Sequence, residues 1–178
     1  MKTLFIDMDG VIVDFLQSID NHPEKDNYKG REDALPDVFL NALPLEHAID
    51  SVGKLLDCGK YEVYIASTAP WATVESLTHK RIWIEKYFGD RLKKRLILTH
   101  RKDFLMGDYL IDDRLKNGAG EFKGELLHFG TTKYPDWKSN VFGDEPREKL
   151  VFKHKNLNLM GFQHHDKVLN NFKKTSIT

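Results

Sequence analysis

The sequence predicts an α/β fold, a mostly parallel sheet flanked by helices, and three observations lead to this prediction. Five short apolar runs, rich in β-branched and aromatic residues, have the length and composition of buried strands. Segments with helical spacing lie between some of these runs. Polar or acidic residues follow the runs directly, and in parallel sheets ligands bind outside the carboxyl ends of the strands.

The five predicted strands each end at a polar residue or a glycine. They are residues 4–6 before Asp7, 63–66 before Ser67, 96–98 before Thr99, 109–111 before Asp112, and 126–129 before Gly130. Continuous apolar runs of this kind suit strands that are covered on both faces, which is what a parallel sheet requires.

Two segments between the strands carry helical spacing. The first is closed by Gly59, which is typical of a helix C-terminus, and the second ends at Gly89. The apolar stripe of the first is Leu45, Ala48, Ile49, Val52, Leu55 and Leu56. The looser stripe of the second is Val74, Leu77, Ile82, Ile84 and Phe88.

Residues 16–43 interrupt this alternation, and we predict a small helical cap there, inserted after the first strand and lying over the strand ends. The segment exceeds the roughly 12–15 residues beyond which structureless loops are uncommon; the alternative is a surface loop with a turn of helix. The core is then 1–15 and 44–140, and 141–178 is a C-terminal extension of unknown role. Residues 145–178 hold seven Lys and Arg against three Asp and Glu.

Composition excludes several classes of protein. The 178 residues carry 27 Lys and Arg against 27 Asp and Glu, which argues against nucleic-acid or anionic-membrane partners. Cys58, the only cysteine, excludes an internal disulfide and a Cys-rich zinc site. No apolar run approaches the ~20 residues of a membrane-spanning helix, and the N-terminus does not resemble a secretory signal. We therefore expect one soluble, cytoplasmic domain.

Asp7 and Asp9 follow the first predicted strand in the motif Asp-Met-Asp-Gly. Carboxylates at i and i+2 lie on the same side of an extended segment. There they can share a divalent cation or act as a nucleophile and a nearby acid/base. Gly10 then lets the chain turn away at once. By itself, the motif is more typical of a charged turn.

Three further polar groups follow other predicted strands. Asp112 and Asp113 are adjacent acids, costly near a sheet end unless a cation compensates them. Ser67 and Thr68 offer hydroxyl groups to a phosphate oxygen. Lys102 can balance the charge of carboxylates and of an anionic substrate. Taken singly, these groups also fit a turn, a helix N-cap and a surface lysine.

The order of these four signals resembles the haloacid-dehalogenase (HAD) superfamily of aspartate-nucleophile phosphatases. More closely, four segments resemble motifs of the 5′(3′)-deoxyribonucleotidases, and a fifth, 39–44, is similar to the end of their cap. The four are 7–15, 67–70, 97–102 and 107–113. The resemblance covers roughly residues 2–138 and implies a Rossmann-like HAD core.

The resemblance also implies a Mg²⁺-dependent phosphatase whose small-molecule substrate is a nucleoside monophosphate. Asp7 is then the nucleophile that forms an aspartyl-phosphate, and Asp9 is the acid/base. Mg²⁺ is held by Asp7, the backbone carbonyl of Asp9 and Asp112, with Asp113 as an outer or water-mediated ligand.

Other residues receive binding roles from the same resemblance. Ser67, Thr68 and Lys102 hold the phosphoryl oxygens. Phe15, Phe39 and Trp71 are the candidates for stacking on the base. The sequence departs from the family pattern at Ser67-Thr68-Ala69-Pro70, where members carry Thr-Ser-Pro, and at His100-Arg101-Lys102, where many carry Arg-Asp-Lys.

Three alternatives stay open at this point. The chain fits a HAD phosphatase for another small phosphoester such as a sugar phosphate, or a non-catalytic phosphate-binding protein. A phosphorylated signalling receiver uses similar residues in a different order. Base, sugar and 5′ or 3′ preference are undetermined, as is the choice between a monomer and a homodimer.

Overall fold

Five strands form one parallel sheet at the centre of the protein. The structure is a computed structural model that describes residues 1–138. The strands are β1 Lys2–Ile6, β2 Tyr61–Ser67, β3 Leu96–Leu98, β4 Tyr109–Asp112 and β5 Glu125–His128. Their order is β3-β2-β1-β4-β5, and all neighbouring strands are parallel. The predicted α/β class with a parallel sheet is confirmed.

The strand order reverses at β1, which lies between β2 and β4. Ile6 of β1 pairs with Ile65 of β2 on one side and with Ile111 of β4 on the other. The residues that follow these three strands therefore meet at one edge of the sheet. Such a switch point is where open α/β sheets bind their ligands.

Within residues 1–138 the α-helices are α1 Phe15–Asp20, α2 Ala48–Asp57 and α3 Glu75–Phe88. Helices α2 and α3 pack on one face of the sheet, where Val52 and Trp83 join the core formed by Leu4, Ile65 and Ile111. Alternate strand residues point to the opposite face. The smaller core on that face contains Phe5, Ala66, Leu110, Ala119 and Phe122.

The two helices that were predicted from the sequence are present, but the buried face of α3 differs from the prediction. Gly59, just past α2, has the left-handed φ of +68° expected of a glycine at a helix end. The prediction that Val74, Leu77 and Ile82 belong to the buried stripe of α3 is wrong, because all three are exposed. The buried residues of this helix are Ser76, Lys80, Trp83, Ile84 and Phe88. A polar pair, Ser76 and Lys80, therefore occupies its buried face near the sheet edge.

Residues 16–43 contain the end of α1 and two short 3-10 helices, Lys25–Tyr28 and Glu32–Ala34. They have a small apolar cluster of their own, in which Leu35, Val38 and Phe39 pack with Phe15. The division into core and cap stays a prediction. The predicted extension 141–178 lies outside the described residues.

Three further 3-10 helices are Gly89–Leu92, Lys102–Phe104 and Ala119–Glu121. The backbone N–H of Lys102 donates to the carbonyl of Asn117 at 2.8 Å, which ties the loop after β3 to the loop after β4. No helix within residues 1–138 combines the length and the apolar character needed to cross a bilayer.

Candidate active site

Acidic residues that follow β1 and end β4 form one cluster. One carboxylate oxygen from each of Asp7, Asp112 and Asp113 lies within 4.8 Å of the others. Asp7 is 3% exposed and Asp112 is 2% exposed, so both carboxylates are almost fully removed from water. Buried carboxylates at this spacing repel one another unless a cation compensates them. The predicted meeting of the two acidic motifs is therefore present in the structure.

Lys102 supplies one compensating charge. Its Nζ lies 2.8 Å from Asp7 Oδ1 and 2.5 Å from Asp112 Oδ2, and its side chain is buried. Burial acts to lower the pKa of Lys102, but the two carboxylates outweigh it and raise the pKa above its usual value. Lys102 therefore stays an ammonium at the floor of the site.

Both carboxylate oxygens of Asp112 accept hydrogen bonds from other groups of the protein. Oδ2 accepts the hydrogen bond from Lys102, and Oδ1 accepts one from the backbone N–H of Arg114 at 2.9 Å. Burial and the Asp7 charge raise the pKa of Asp112, and Lys102 opposes this rise. The carboxylate is thus held in a fixed orientation by donors on both sides.

Asp113 differs from its neighbour because it keeps an oxygen without a hydrogen bond. Within the described chain, Asp113 Oδ1 is buried and no donor reaches it. Arg114 Nε lies 3.6 Å away, which is an ion-pair distance and too long for a hydrogen bond. Burial raises the pKa of Asp113 to about 7; Arg114 lowers it, and Asp7 and Asp112 raise it further. An orphaned carboxylate oxygen beside Asp7 fits a site for a hard divalent cation.

Asp9 lies at the wall of the site and is paired with Lys80, a residue that the sequence analysis did not identify. Lys80 Nζ lies 2.5 Å from Asp9 Oδ2 and 3.1 Å from Ser67 Oγ. Burial raises the pKa of Asp9, and the Lys80 ammonium opposes it. A usable signal was present in the sequence: Lys80 precedes Trp83 and Ile84 by three and four residues, on one helix face.

The two predicted phosphate-binding hydroxyls have different surroundings. Ser67 is the last residue of β2, is fully buried and accepts a hydrogen bond from Lys80. Thr68 Oγ1 donates to the carbonyl of Thr99 at 3.0 Å. The predicted hydrogen bond from the Thr68 hydroxyl to a phosphate therefore requires this internal bond to break. Among the described residues, the Ser67 hydroxyl donates to no group, so no such bond has to break there.

A cavity of about 260 Å³ opens next to Asp9, between the core and residues 16–43. It is lined by Asp9, Phe15, Asp33, Phe39, Thr68, Pro70, His100, Arg114 and Asn117. Arg114, which directly follows the acidic pair, is a second residue that the sequence analysis missed. Arg114 lines the cavity and its Nε lies 3.6 Å from Asp113, so its positive charge is available to an anionic group that enters the cavity.

The three predicted aromatic residues are not equivalent. The rings of Phe15 and Phe39 are stacked with centroids 5.0 Å apart, and Lys80 Nζ lies 4.6 Å from the centroid of Phe39. Phe39 is therefore buried by the protein itself, and Phe15 is the more accessible of the two in the cavity wall. Trp71 is 91% exposed and contacts His100 edge-on, outside the lining of the cavity. Its predicted stacking role has no support in this geometry and stays a prediction.

The profile of the family described as 5′ nucleotidase, deoxy (pyrimidine), cytosolic type C protein matches residues 21–134. This range begins after Asp7 and Asp9 and includes Ser67, Lys102 and the acidic pair that ends β4.

Individual relatives extend the similarity toward the N-terminus. A protein of Vibrio phage KVP40 named 5′(3′)-deoxyribonucleotidase is 49% identical over 143 residues, which cover 78% of this chain and 81% of the relative. A protein of Bordetella pertussis with the same name is 31% identical over 137 residues, covering 62% and 73%. The human cytosolic-type 5′(3′)-deoxyribonucleotidase is 32% identical over 79 residues, covering 44% and 39%.

Proposed function

The chain belongs to the 5′(3′)-deoxyribonucleotidase family of the HAD superfamily, and we propose that it hydrolyses (deoxy)nucleoside monophosphates through an aspartyl-phosphate intermediate. Membership makes it a phosphoric monoester hydrolase of the 5′-nucleotidase type. The observation that supports the proposed mechanism is the buried ion pair of Asp7 with Lys102, two residues along the chain from Asp9, which lines the cavity.

In the first proposed step, a carboxylate oxygen of Asp7 attacks phosphorus and the bond between phosphorus and the nucleoside oxygen breaks. Asp9, in its protonated form, gives its proton to the departing oxygen. The raised pKa of Asp9, caused by burial, favours this protonated form. The products of the step are the nucleoside, the aspartyl-phosphate and an ionised Asp9.

In the second proposed step, water attacks the phosphorus of the aspartyl-phosphate. Asp9 accepts the proton of this water, and the bond between phosphorus and Asp7 breaks. Inorganic phosphate leaves, and both aspartates return to their starting forms. The same carboxyl group thus acts as acid and then as base, so no further proton donor is required.

We propose Mg²⁺ as the metal, because Asp7, Asp112 and Asp113 provide the oxygen ligands that this ion prefers. When bound, the ion supplies positive charge to the phosphoryl oxygens. The sequence prediction assigned Asp112 as the direct ligand and Asp113 as the outer one. The unpartnered oxygen of Asp113, against the two occupied oxygens of Asp112, supports the reverse assignment.

For the substrate, we propose that Ser67, Lys102 and Arg114 bind the phosphoryl group and that Phe15 contacts the base. Asp33 and Phe39 line the cavity from residues 16–43, which supports the proposal of a cap over the site. A cytoplasmic location fits the single cysteine and the human cytosolic-type relative. All residues in the proposed mechanism come from one chain, so a homodimer is not required for it.

The test is phosphate release from a panel of 5′- and 3′-nucleoside monophosphates, with ribo and deoxy sugars, and sugar phosphates. Each is assayed with Mg²⁺ and with EDTA. We expect turnover of nucleoside monophosphates that EDTA removes and that Asp7→Asn abolishes. The exposed Asp90 provides the matched control, Asp90→Asn, which keeps full activity. Turnover of sugar phosphates alone would reject the substrate class, and no turnover would favour a binding protein.

A further inference from the structure

Lys80 is one of two buried lysines among the described residues, the other being Lys102. Its exposure is 0%, although it lies on a helix whose remaining lysine, Lys86, is exposed. Burial of an ammonium is unfavourable unless partners within the protein replace its hydration. The partners of Lys80 therefore show why this charge is kept inside.

An ammonium has three N–H donors, and three groups surround that of Lys80. Asp9 Oδ2 lies at 2.5 Å, Ser67 Oγ at 3.1 Å, and the centroid of the Phe39 ring at 4.6 Å. The first two are hydrogen bonds and the third is a cation–π contact. Two of the three donors are thus taken by Asp9 and Ser67, and the Phe39 ring covers a further side of the ammonium.

The contact with Asp9 determines which carboxylate oxygen is available for chemistry. Oδ2 is held by Lys80, whereas no donor within residues 1–138 reaches Oδ1. Asp9 lines the cavity, and its Oδ1 atom is buried without a hydrogen bond from the described residues. Lys80 therefore fixes the rotation of the carboxylate and leaves Oδ1 as the oxygen that can exchange a proton.

The contact with Ser67 has a related effect on the hydroxyl hydrogen. Ser67 Oγ accepts from Lys80, and in the described part of the chain this hydroxyl donates to no other group. The hydroxyl hydrogen consequently stays available for a phosphoryl oxygen. Because the donor is charged, it also polarises the hydroxyl toward stronger donation.

We propose that Lys80 is a positioning residue for the hydrolysis, which orients Asp9 for proton transfer and Ser67 for donation to the phosphoryl group. This inference rests on the proposed function. Lys80 acts through these two side chains and does not bind the phosphate itself, in contrast to Lys102. Its contact with Phe39 links both side chains to residues 16–43.

The test is Lys80→Met, which keeps the length of the side chain and removes the charge. We measure kcat and KM for a nucleoside monophosphate and for a series of aryl phosphates whose leaving groups differ in basicity. General acid catalysis contributes about 10²–10⁴-fold, so kcat for the nucleotide should fall about 100-fold or more while KM changes less than about threefold.

The leaving-group series separates positioning of the acid from general structural damage. The 4-nitrophenolate ion departs without being protonated, so its phosphate should lose about tenfold or less in kcat, mainly through Ser67. In an Asp9→Asn background, Lys80→Met should cost only the part that acts through Ser67, about tenfold or less, because the acid that Lys80 orients is already gone. Lys86→Met, the same change at an exposed site of the same helix, should leave all rates unchanged.

Several outcomes would overturn the inference. They are an equal loss for every leaving group, a rise in KM alone, full additivity with Asp9→Asn, or no effect. Circular dichroism checks the fold; if Lys80→Met melts below the assay temperature, Lys80→Gln and Lys80→Arg repeat the comparison. If the wild type hydrolyses the aryl phosphates but no nucleotide, the proposed substrate is wrong. The leaving-group series then still tests whether Lys80 positions Asp9. If it hydrolyses neither, the proposed function fails, and the inference with it.

Discussion

The carboxylate of Asp113 lies so close to Gly10 that a Cβ atom at position 10 would be only 2.4 Å from Asp113 Oδ2. Gly10 has φ of +79°, a backbone conformation that residues with a Cβ adopt at a cost. The glycine of the first acidic motif thus serves two purposes: it turns the chain after Asp9, and it makes room for the carboxylate at the end of β4.

Gly10→Ala should lower the free energy of unfolding by about 1–2 kcal/mol for backbone strain alone, and should also displace Asp113. Urea denaturation measures the first effect, and calorimetric titration with Mg²⁺ measures the second. Gly30→Ala is the matched control, since Gly30 has φ of +81° and nothing within 4 Å of the added atom. Gly30→Ala should lower the free energy of unfolding by a similar amount and leave the affinity for Mg²⁺ unchanged. Equal Mg²⁺ affinity in both variants would contradict the contact with Asp113.

Lys102→Met should leave the buried carboxylates of Asp7 and Asp112 without their cation. Removal of one partner from a buried ion pair typically costs about 3–5 kcal/mol. We expect a loss of that size in urea denaturation with EDTA and a smaller loss in saturating Mg²⁺, whose charge replaces part of the lysine's. The exposed Lys123 gives the control, Lys123→Met. An equal loss with and without Mg²⁺ would show that the ion does not share these carboxylates.

Metal affinity should depend on pH through Asp113, whose pKa is raised to about 7 by burial. Below this pH the metal-free protein holds a proton on Asp113 that the ion must displace. The dissociation constant for Mg²⁺ should rise about tenfold for each pH unit below 7 and level off above it. Calorimetry across pH 5–8 measures this, and a flat profile would exclude Asp113 as the titrating ligand.

The same raised pKa changes the stability of the metal-free protein in the opposite sense. In the folded, metal-free protein Asp113 holds its proton up to about pH 7, whereas in the unfolded chain it loses the proton at its ordinary pKa of 3.8. The stabilisation from this proton is therefore complete below about pH 4 and is lost as pH rises through about 7. In Asp113→Asn, urea denaturation should lack this contribution, which provides the control.

The two adjacent acids should respond differently to substitution. Asp113→Asn removes the carboxylate with a free oxygen and should weaken Mg²⁺ binding the more. Asp112→Asn removes the partner of Lys102 and should mainly lower the free energy of unfolding. Calorimetry and urea denaturation on both variants give the comparison. Greater loss of Mg²⁺ affinity in Asp112→Asn would restore the assignment that the sequence alone suggested.

Substitutions of Phe15 and Trp71 should have different effects on nucleotide binding. Stacking on a base is worth about 1–3 kcal/mol, so Phe15→Ala should raise KM for nucleotides about 10-fold or more. Trp71→Ala should change it less than about twofold, because this side chain is 91% exposed and outside the cavity. Ribose 5-phosphate, which has no base, serves as the reference substrate if the enzyme hydrolyses it. A larger effect of Trp71→Ala would show that the cavity closes differently around a substrate.

The sequence alone was sufficient to predict the strands and a parallel sheet, because the signals for a buried strand lie in neighbouring residues. The run of apolar residues before Asp7 indicates a buried strand, and the acids that follow it lie where parallel strands end. Strand, motif and turn are contained within neighbouring residues, so none of these predictions required a distant contact. The order of the motifs then identified the family through its resemblance.

The division of roles inside the site was decided by tertiary structure. Lys80 is 71 residues from Asp9 along the chain, and only the packing of α3 on the sheet brings them together. Because hydrophobic periodicity treats any lysine as a surface residue, it placed Val74, Leu77 and Ile82 inward and left Lys80 out.

Asp112 and Asp113 illustrate the same limit at shorter range. In sequence they are equivalent acids, but successive residues at the end of a strand point in opposite directions. The pairing of Ile6 with Ile111 directs Asp112 toward Lys102, and the turn at Gly10 leaves space for Asp113. The sequence thus determined which residue types meet at this edge of the sheet. The pairing of strands and the packing of α3 decided which oxygen faces which cation, because those contacts join residues that are distant along the chain.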